Sequence, residues 1–548
     1  MKINRIILGS FAGMILLAAS VGCSKMMDIP QNGVVSQDDY YKTDAEAESA
    51  ISTVYSAWRS RAENIFSVLE TLTDDVSKGG TNVNFFPNWR ERNSYIYNSG
   101  NEGVATFYTD SYALIYYCNL VIDKVSGETA VQGRCIAEAK FFRALTYSYL
   151  AQLWGENVPL VDHLLSPDEY HVTNSADGEV WALVEKDLKD AIAVLPSKSN
   201  LNDKSLNRVT KEAAECVLGK AYMWQARYQE AAGEFEKVIG SNLYDLWDGD
   251  YEMLLHVEAN KCCEKILEAI VPDDPANYET NRISTMNSRW TYFGWAINQK
   301  YSLTPEAKTK FINGDEYMPP RAGLYEAFKA EEDAYAVDPT NMKDRFHATL
   351  RTVWEMADEG VSLKSDMPDH DYYVNWKTRL LYTDLMGGKP MGTRGVKNQY
   401  INIAYIRYSD ILLLAAEAYV KLGTNQAKAD EYLNKVRSRA GLKPKTATLE
   451  GIKLERRLEL CFEANRYLDL IRWQTVDGTH DAFNALKDQG KETYNLIVTK
   501  EGDGYSYNRV VASTNPEAGF KEGKHERLPI PQSEIEVNGN YVSQNPGW

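Results

Sequence analysis

The sequence has few of the residues, and none of the short motifs, that commonly mark an active site. Its seven histidines are spread over 548 residues, and none forms the HExxH pair of a zinc hydrolase. It also lacks the GxSxG turn of serine hydrolases, the GxxxxGKS phosphate loop and the glycine fingerprint of dinucleotide-binding folds. A glycosidase needs only two suitably spaced carboxylates, and the sequence singles out no such pair. We therefore predict a protein that is not an enzyme and that has no cofactor.

Basic residues and cysteines are scarce as well. The 60 Lys and Arg residues are outnumbered by 77 Asp and Glu residues, so the net charge is -17. A protein that binds the phosphate backbone normally carries a basic patch, so we expect no nucleic-acid partner. Of the seven cysteines, six follow Cys23 at scattered positions, and the vicinal pair Cys262 and Cys263 lacks the spacing of a zinc site or a CxxC redox motif. The sequence therefore gives no sign of a disulfide framework.

The first 40 residues predict export and lipidation. Lys2 and Arg5 precede an uncharged run, residues 6–22, that is too short for a comfortable membrane span and is typical of a cleaved signal peptide. The stretch SVGC, which ends at Cys23, resembles the bacterial lipobox, whose cysteine is diacylated and becomes the first mature residue. We therefore predict a lipoprotein signal peptide (1–22), lipidation at Cys23 and a lipidated tether (23–40). The alternative is an ordinary secreted protein, because Ser20 stands where the lipobox usually has an aliphatic residue.

Helical periodicity dominates two blocks of the chain, residues 41–240 and 401–548, and predicts a mainly α fold. In the first block the predicted helices are Glu46–Arg59, Phe107–Val125, Ile136–Trp154, Val180–Leu195, Lys211–Ala226 and Tyr228–Ile239. In the second block they are Ala404–Leu422, Gln426–Ala440 and Leu449–Trp473.

One helix pair has the spacing of a tetratricopeptide hairpin. Leu218-Gly219, Tyr222, Ala231 and Phe235 match the pattern L-G-x2-Y…A-x3-F, in which small residues let two helices approach and aromatic rings fill the groove. The stretch AAEAYVKLGTNQAKADEYL resembles a degenerate second copy. We therefore predict tetratricopeptide-like hairpins as a scaffold, and not a regular solenoid.

The region between these blocks, residues 241–400, has no sustained period and is predicted to be a loop-rich ligand-binding insert. It is rich in aromatic residues, as is the shorter stretch from 82 to 98, and long loops on a rigid frame commonly carry binding sites. One of its loops contains four candidate ligands of a calcium ion, Asp366, Asp369, His370 and Asp371. The loop lacks the glycine and the terminal glutamate of an EF-hand, so we favour a solvated acidic loop over a structural Ca²⁺ site.

The stretch ERRLELCFEANRYLDLIRW, residues 455–473, is the densest group of acids and bases in the chain. Glu455, Glu459 and Glu463 lie four residues apart, so in one helix they would share a face and repel unless arginines intervene. Nearby arginines can supply bidentate partners. We therefore interpret this stretch as a structural ion network that clamps helices, and not as a catalytic centre.

Several blocks of the sequence, taken in order, resemble one family. They are YALIYYCNLVIDKV, AEAKFFRALTYSYLAQLWGENVPLV, YIRYSDILLLAAEAYVKLG, ADEYLNKVRSRAGL, LERRLELCFEANRYLDLIRW and RLPIPQSEIEVNGNYVSQNPGW. Together they resemble the SusD/RagB family of nutrient-binding outer-membrane lipoproteins. The resemblance implies a mainly α, SusD-like fold with tetratricopeptide-like hairpins, long irregular loops and a few short strands.

The resemblance also implies a function. The protein would sit on the cell exterior, attached to the outer membrane through its lipid alone, as a lid on a SusC-like TonB-dependent transporter. It would capture an oligosaccharide and pass it inward without breaking a bond. A peptide cargo, or a protein-interaction scaffold without a ligand of its own, are the alternatives.

The family places its ligand on loops that correspond to residues 74–97 and 287–301. Pyranose rings present C–H groups that stack on aromatic side chains, while their hydroxyls bind amides, carboxylates and guanidinium groups. The predicted stacking residues are Trp89, Trp290, Tyr292 and Trp295, and the predicted polar contacts are Asp75, Arg90, Asn93, Arg289 and Asn298. For each aromatic residue the alternative is packing in the core, because Trp and Tyr are usually well buried.

Overall fold

The computed structural model describes residues 40–80, 84, 86–201, 207–271, 300–312, 314–340, 344–385, 399–475 and 478–548. In these residues the α-helices are α1 (Asp44–Ser60), α2 (Ala62–Thr71), α3 (Pro87–Asn93), α4 (Glu102–Lys124), α5 (Ala130–Trp154), α6 (Glu179–Val194), α7 (Lys211–Trp224), α8 (Tyr228–Gly240), α9 (Ala307–Lys310), α10 (Ala322–Tyr335), α11 (Arg345–Thr349), α12 (Glu355–Asp358), α13 (Tyr408–Leu422), α14 (Gln426–Arg439), α15 (Leu449–Glu459), α16 (Arg466–Arg472), α17 (Asp481–Leu486) and α18 (Gln532–Val537). The strands are β1 (Lys265–Ala269), β2 (Tyr301–Leu303), β3 (Leu350–Thr352), β4 (Val361–Leu363), β5 (Tyr373–Asn375), β6 (Ile403–Arg407), β7 (Glu492–Glu501) and β8 (Gly504–Thr514).

About half of the chain is helical, which confirms the predicted mainly α fold with a few short strands. The strands pair antiparallel as four two-stranded sheets, β1 with β6, β2 with β4, β3 with β5 and β7 with β8. The β1–β6 pair joins the middle region to the C-terminal block, whereas the domain limits at 240 and 400 stay predictions. Within the described residues, no helix combines the length and the apolar character that crossing a bilayer requires.

The N-terminal helices form where caps and apolar stripes coincide. In α1 the Thr43 side chain accepts from the Glu46 backbone N–H, and the Glu46 carboxylate accepts from the Thr43 N–H, which makes a capping box. The helix then buries Ala47, Ile51, Val54 and Trp58 on one face. The predicted helix at this position is therefore confirmed, with bounds that shift by one or two residues.

The predicted tetratricopeptide-like hairpins are present. Helices α7 and α8 pack closely at Gly219, where an added Cβ would lie 2.5 Å from the Phe235 ring. Helices α13 and α14 form the second hairpin. The two hairpins are linked because the hydroxyls of Tyr419 and Tyr432 both donate to Glu236 of α8, each at 2.7 Å.

Two of the predicted helices are wrong in part, because residues far away in the sequence bind the backbone there. The first residues of the predicted helix 404–422 belong to β6, which pairs with β1. The predicted helix 449–473 ends at Glu459, and its continuation starts again at Arg466. Between them Phe462 and Ala464 have left-handed backbones with φ of 63° and 61°. The Lys377 ammonium donates to the carbonyls of Glu459 and Cys461, and thereby satisfies backbone groups that the break exposes.

The acids of this stretch form the buried ion network that the sequence predicts. The carboxylate of Glu459 accepts from Arg345 at 3.0 Å, Arg407 at 3.0 Å and Arg439 at 2.6 Å. Burial alone would raise the pKa of Glu459, but the three guanidinium groups outweigh it and hold the pKa well below its usual range. Glu463 takes part from beyond the helix end, with Lys377 at 2.6 Å. One carboxylate therefore ties α15 to α11, β6 and α14.

We predict that Glu459→Ala destabilises the fold by about 3–5 kcal/mol, because three buried arginines would lose a shared counter-charge. Thermal denaturation measures this loss. Glu450→Ala is the matched control on the same helix, since the Glu450 side chain is 81% exposed and its removal should change stability little. Full stability of Glu459→Ala together with loss of ligand binding would contradict the structural interpretation.

We also predict opposite effects of two alanine substitutions in the α7–α8 hairpin. Gly219→Ala should cost about 1–3 kcal/mol, because the new methyl would push against the Phe235 ring. Gly233→Ala should stabilise by about 0.5–1 kcal/mol, since nothing lies within 4 Å of its Cβ and alanine favours a helix over glycine. Chemical denaturation measures the free energy of unfolding of both variants. Equal changes in the two variants would contradict the close approach of α7 and α8 at Gly219.

Candidate functional site

The predicted binding segment 74–97 is a loop only in part, because residues 87–93 form α3, and its residues 75–80 lie against residues 316–321. The Ser77 N–H donates to the Pro319 carbonyl at 2.9 Å, and the Arg321 N–H donates to the Asp75 carbonyl at 2.8 Å. Gly80 has a φ of +105°, and a Cβ there would collide with the Tyr317 ring. Only glycine fits this position, so the two segments approach closely and carry their side chains to one place.

An aromatic cluster stands at this junction. The rings of Phe86 and Trp89 stack with centroids 4.9 Å apart and planes at 22°, and Tyr317 contacts both edge-on at 5.3 and 6.0 Å. Phe86 is 37% exposed, whereas Trp89 is only 6% exposed. Phe86, which the sequence analysis missed, is therefore the more exposed of the two stacked rings in this platform, and direct stacking of a ligand on Trp89 stays a prediction.

The backbone of Phe86 explains why periodicity could not find it. Phe86 is the N-cap residue of α3 and has a left-handed backbone with φ of 52°, just before Pro87. A bulky residue in this region of backbone space costs about 1–3 kcal/mol and often marks a functional site. The signal in the sequence is the string FFPNW, in which a proline at the first helical position fixes the start of the helix.

Charged groups lie beside the platform. The Lys78 ammonium is buried, donates to the Gly79 carbonyl at 2.8 Å and stands 4.6 Å from the centre of the Tyr317 ring. Burial lowers the pKa of Lys78 to about 8, and the charge of Arg90 adds to this effect. Asp369 is buried nearby, and its burial raises the pKa of its carboxyl against the pull of Arg321, Arg90 and Lys78. The predicted contact Arg90 thus belongs to this charged group.

The other two described residues of the predicted site are buried in the frame. Asp75 is 1% exposed, and its carboxylate binds Arg457 at 2.7 Å. Burial raises the pKa of Asp75, while Arg457 acts to lower it. Asn93 donates to the carbonyls of Thr71 at 3.0 Å and Val76 at 3.1 Å. This geometry favours positioning of the loop by both residues, and a direct ligand contact by either stays a prediction.

The remaining predicted site residues lie outside the described residues. They are the lipidation site Cys23 and the ligand residues Arg289, Trp290, Tyr292, Trp295 and Asn298. They stay predictions.

The prediction of a solvated acidic loop is wrong for Asp369, His370 and Asp371, because all three are buried and the loop spreads its side chains among separate partners. Asp366 accepts from the Val498 N–H at 2.8 Å, and Asp371 accepts from the Ala322 N–H at 2.9 Å. His370 faces Glu316 at 3.2 Å. In the described part of the chain no group of three His, Cys, Asp or Glu residues has the arrangement of a metal site.

We predict that Asn93→Ala lowers the free energy of unfolding by about 1–3 kcal/mol, because the carbonyls of Thr71 and Val76 would lose their donor. Chemical denaturation measures the change, with Asn508→Ala on the exposed side of β8 as the control. A direct ligand contact would instead weaken binding at unchanged stability.

Comparison with known proteins gives the family. The model described as the SusD family matches residues 274–548, and the model described as starch-binding associating with outer membrane matches residues 34–223. The first match covers half of the chain. The chain therefore belongs to the SusD family, and its relatives point to the surface of the outer membrane.

Individual relatives share both length and fold with the chain. SusD-like protein P2 of Formosa agariphila is 23% identical over 565 residues, which cover 97% of this chain and 98% of that protein. A solved structure, a laminarin binding SusD-like protein, is 27% identical with a TM-score of 0.75 and covers 93% of this chain and 100% of its own. Surface glycan-binding protein A from Bacteroides thetaiotaomicron, in complex with laminarihexaose, is 22% identical with a TM-score of 0.70 over 92% of this chain and 99% of that one. At that identity the likeness shows the fold alone.

Proposed function

We propose that the protein is a cell-surface lipoprotein that captures an oligosaccharide and delivers it to a SusC-like TonB-dependent transporter in the outer membrane. The observation that carries the proposal is the aromatic cluster of Phe86, Trp89 and Tyr317, in which the Phe86 ring is partly exposed. An aromatic face of this kind binds the C–H face of a pyranose. The neighbouring Arg90, which is half-buried, can hold its hydroxyls.

The cargo is a neutral glycan, and the protein binds it without breaking a bond. The relative at 27% identity is described as laminarin binding, which makes laminarin oligosaccharides the first ligands to test. Within the aromatic cluster and its charged neighbours, binding depends on stacking and hydrogen bonds. These interactions hold a sugar chain and release it unchanged to a transporter.

Cys23 attaches the protein to the outer membrane through its lipid, on the exterior side. The description of the matching family model, associating with outer membrane, supports this location. Lipidation at Cys23 is tested by mass spectrometry of the membrane-extracted protein, with Cys23→Ser as the control.

Calorimetry with oligosaccharides and with oligopeptides tests which class of molecule the protein binds. We expect binding of laminarin oligosaccharides, recovery of the sugar intact, and no binding of oligopeptides of similar length. Binding of peptides alone would favour peptide import. Binding of neither, together with a stable complex with a transporter barrel, would favour a scaffold.

We predict that Phe86→Ala weakens oligosaccharide binding about 10-fold, or about 1.4 kcal/mol, because the stacking face is lost. Its thermal stability should stay close to that of the unmodified protein, since the ring is 37% exposed. Tyr116→Ala is the matched control, because Tyr116 is an exposed aromatic residue of α4, at 51% exposure. An unchanged Kd for Phe86→Ala would overturn the assignment of this platform.

A further inference from the structure

Trp354 differs from the other tryptophans that the structure describes. It is 50% exposed, whereas most of the others are buried in the core. Leaving a large apolar ring in water forgoes the hydrophobic free energy of burying it, about 25 cal/mol per Å² of apolar surface. An exposed tryptophan therefore suits a role in recognition, where one face stays available to a partner.

The indole is also held in place. Its ring lies 5.0 Å from that of Tyr372 and 5.8 Å from that of Tyr507, with planes at 34° and 81°. The Tyr372 hydroxyl is fixed in turn, because it accepts from the Arg509 N–H at 3.0 Å. Just after the indole, Glu355 accepts from the Thr352 N–H at 2.7 Å. A ring held this way loses little conformational entropy when it binds.

Residues 369–372 connect Trp354 to the candidate site along the chain, and Asp369, His370 and Asp371 are buried between the two. At the first end, the Asp369 carbonyl accepts from the Ser77 hydroxyl at 2.7 Å, beside Lys78. At the other end, Tyr372 packs under Trp354. Asp371, between them, pairs with Arg509 at 2.5 Å and so fixes the connecting loop to β8.

We propose that Trp354 forms a second stacking surface that binds a pyranose further along the same glycan chain. This inference rests on the proposed function and extends it to longer ligands. The exposed apolar area is one indole, because Tyr372 and Tyr507 are half-buried behind it. One ring matches the face of one sugar, whereas a stable protein interface needs about 800 Å² on each side. Asp358, exposed one helical turn later, can accept hydrogen bonds from sugar hydroxyls.

The consequence is a dependence of affinity on chain length. A short laminarin oligosaccharide fills the Phe86 platform alone, whereas a long one reaches both surfaces. Trp354→Ala should therefore leave the Kd for a trisaccharide within about two-fold and raise the Kd for polymeric laminarin about 10-fold. Trp354→Phe should keep most of the affinity for the polymer, because it keeps an aromatic face.

Calorimetry and affinity electrophoresis in laminarin gels measure both values, with Tyr116→Ala as the exposed-aromatic control. An unchanged Kd of Trp354→Ala for the polymer overturns the second surface, and so does an equal loss for short and long chains. If Phe86→Ala weakens binding while Trp354→Ala does not, only this inference fails.

If the unmodified protein binds no glycan, the proposed function itself fails. If Trp354→Ala binds all glycans normally and loses only a complex with a transporter, the indole is a protein contact and the inference is wrong.

Discussion

The buried carboxylate of Glu459 is the interaction on which the frame depends. Taking a charge out of water costs several kcal/mol, and the cost is offset only when the charge is fully paired. Arg345, Arg407 and Arg439 come from three different elements, and each donates to this one carboxylate. This shared pairing favours the observed packing of the three elements, because moving one of them away would weaken the pairing of a buried charge.

The same helix holds the candidate site. Arg457, two residues before Glu459, binds both Asp74 at 3.1 Å and Asp75 at 2.7 Å. The carbonyl of Asp75 then accepts from the Arg321 N–H, which brings the segment with Tyr317 against the loop of the aromatic platform. Polar contacts thus run from α15 to the segment of Tyr317, whose ring contacts Phe86 edge-on. A platform fixed before binding loses less entropy when a sugar arrives, and flexible loops would lack this advantage.

Periodicity predicted much of this frame, because an apolar stripe is a local property. The helix predicted at 180–195 is observed as Glu179–Val194. The sequence predicts the backbone less well where the interacting residues are far apart in the chain. The carbonyl of Glu459, at the break of the helix, accepts from Lys377, which is 82 residues away. The same limit applies to the site. Composition drew attention to the segment with Asp75 and Asn93, but their partners Arg457 and Arg321 lie 382 and 228 residues away. No local sequence pattern shows that Asp75 and Asn93 are buried against these distant arginines.

Charge and aromatic surface therefore have separate roles in this chain. A general acid needs a carboxyl whose pKa is raised toward neutrality. Burial would raise the pKa of Glu463, but Arg407 and Lys377 hold it at about 2, so this carboxyl stays ionised and has no proton to give. Glu459 and Glu463 are thus held by their partners as structural anions. The partly exposed rings of Phe86 and Trp354 lie at the N-terminal ends of short helices, and ring faces offer stacking without acid or base chemistry. Such an arrangement suits the proposed capture and release of a sugar chain.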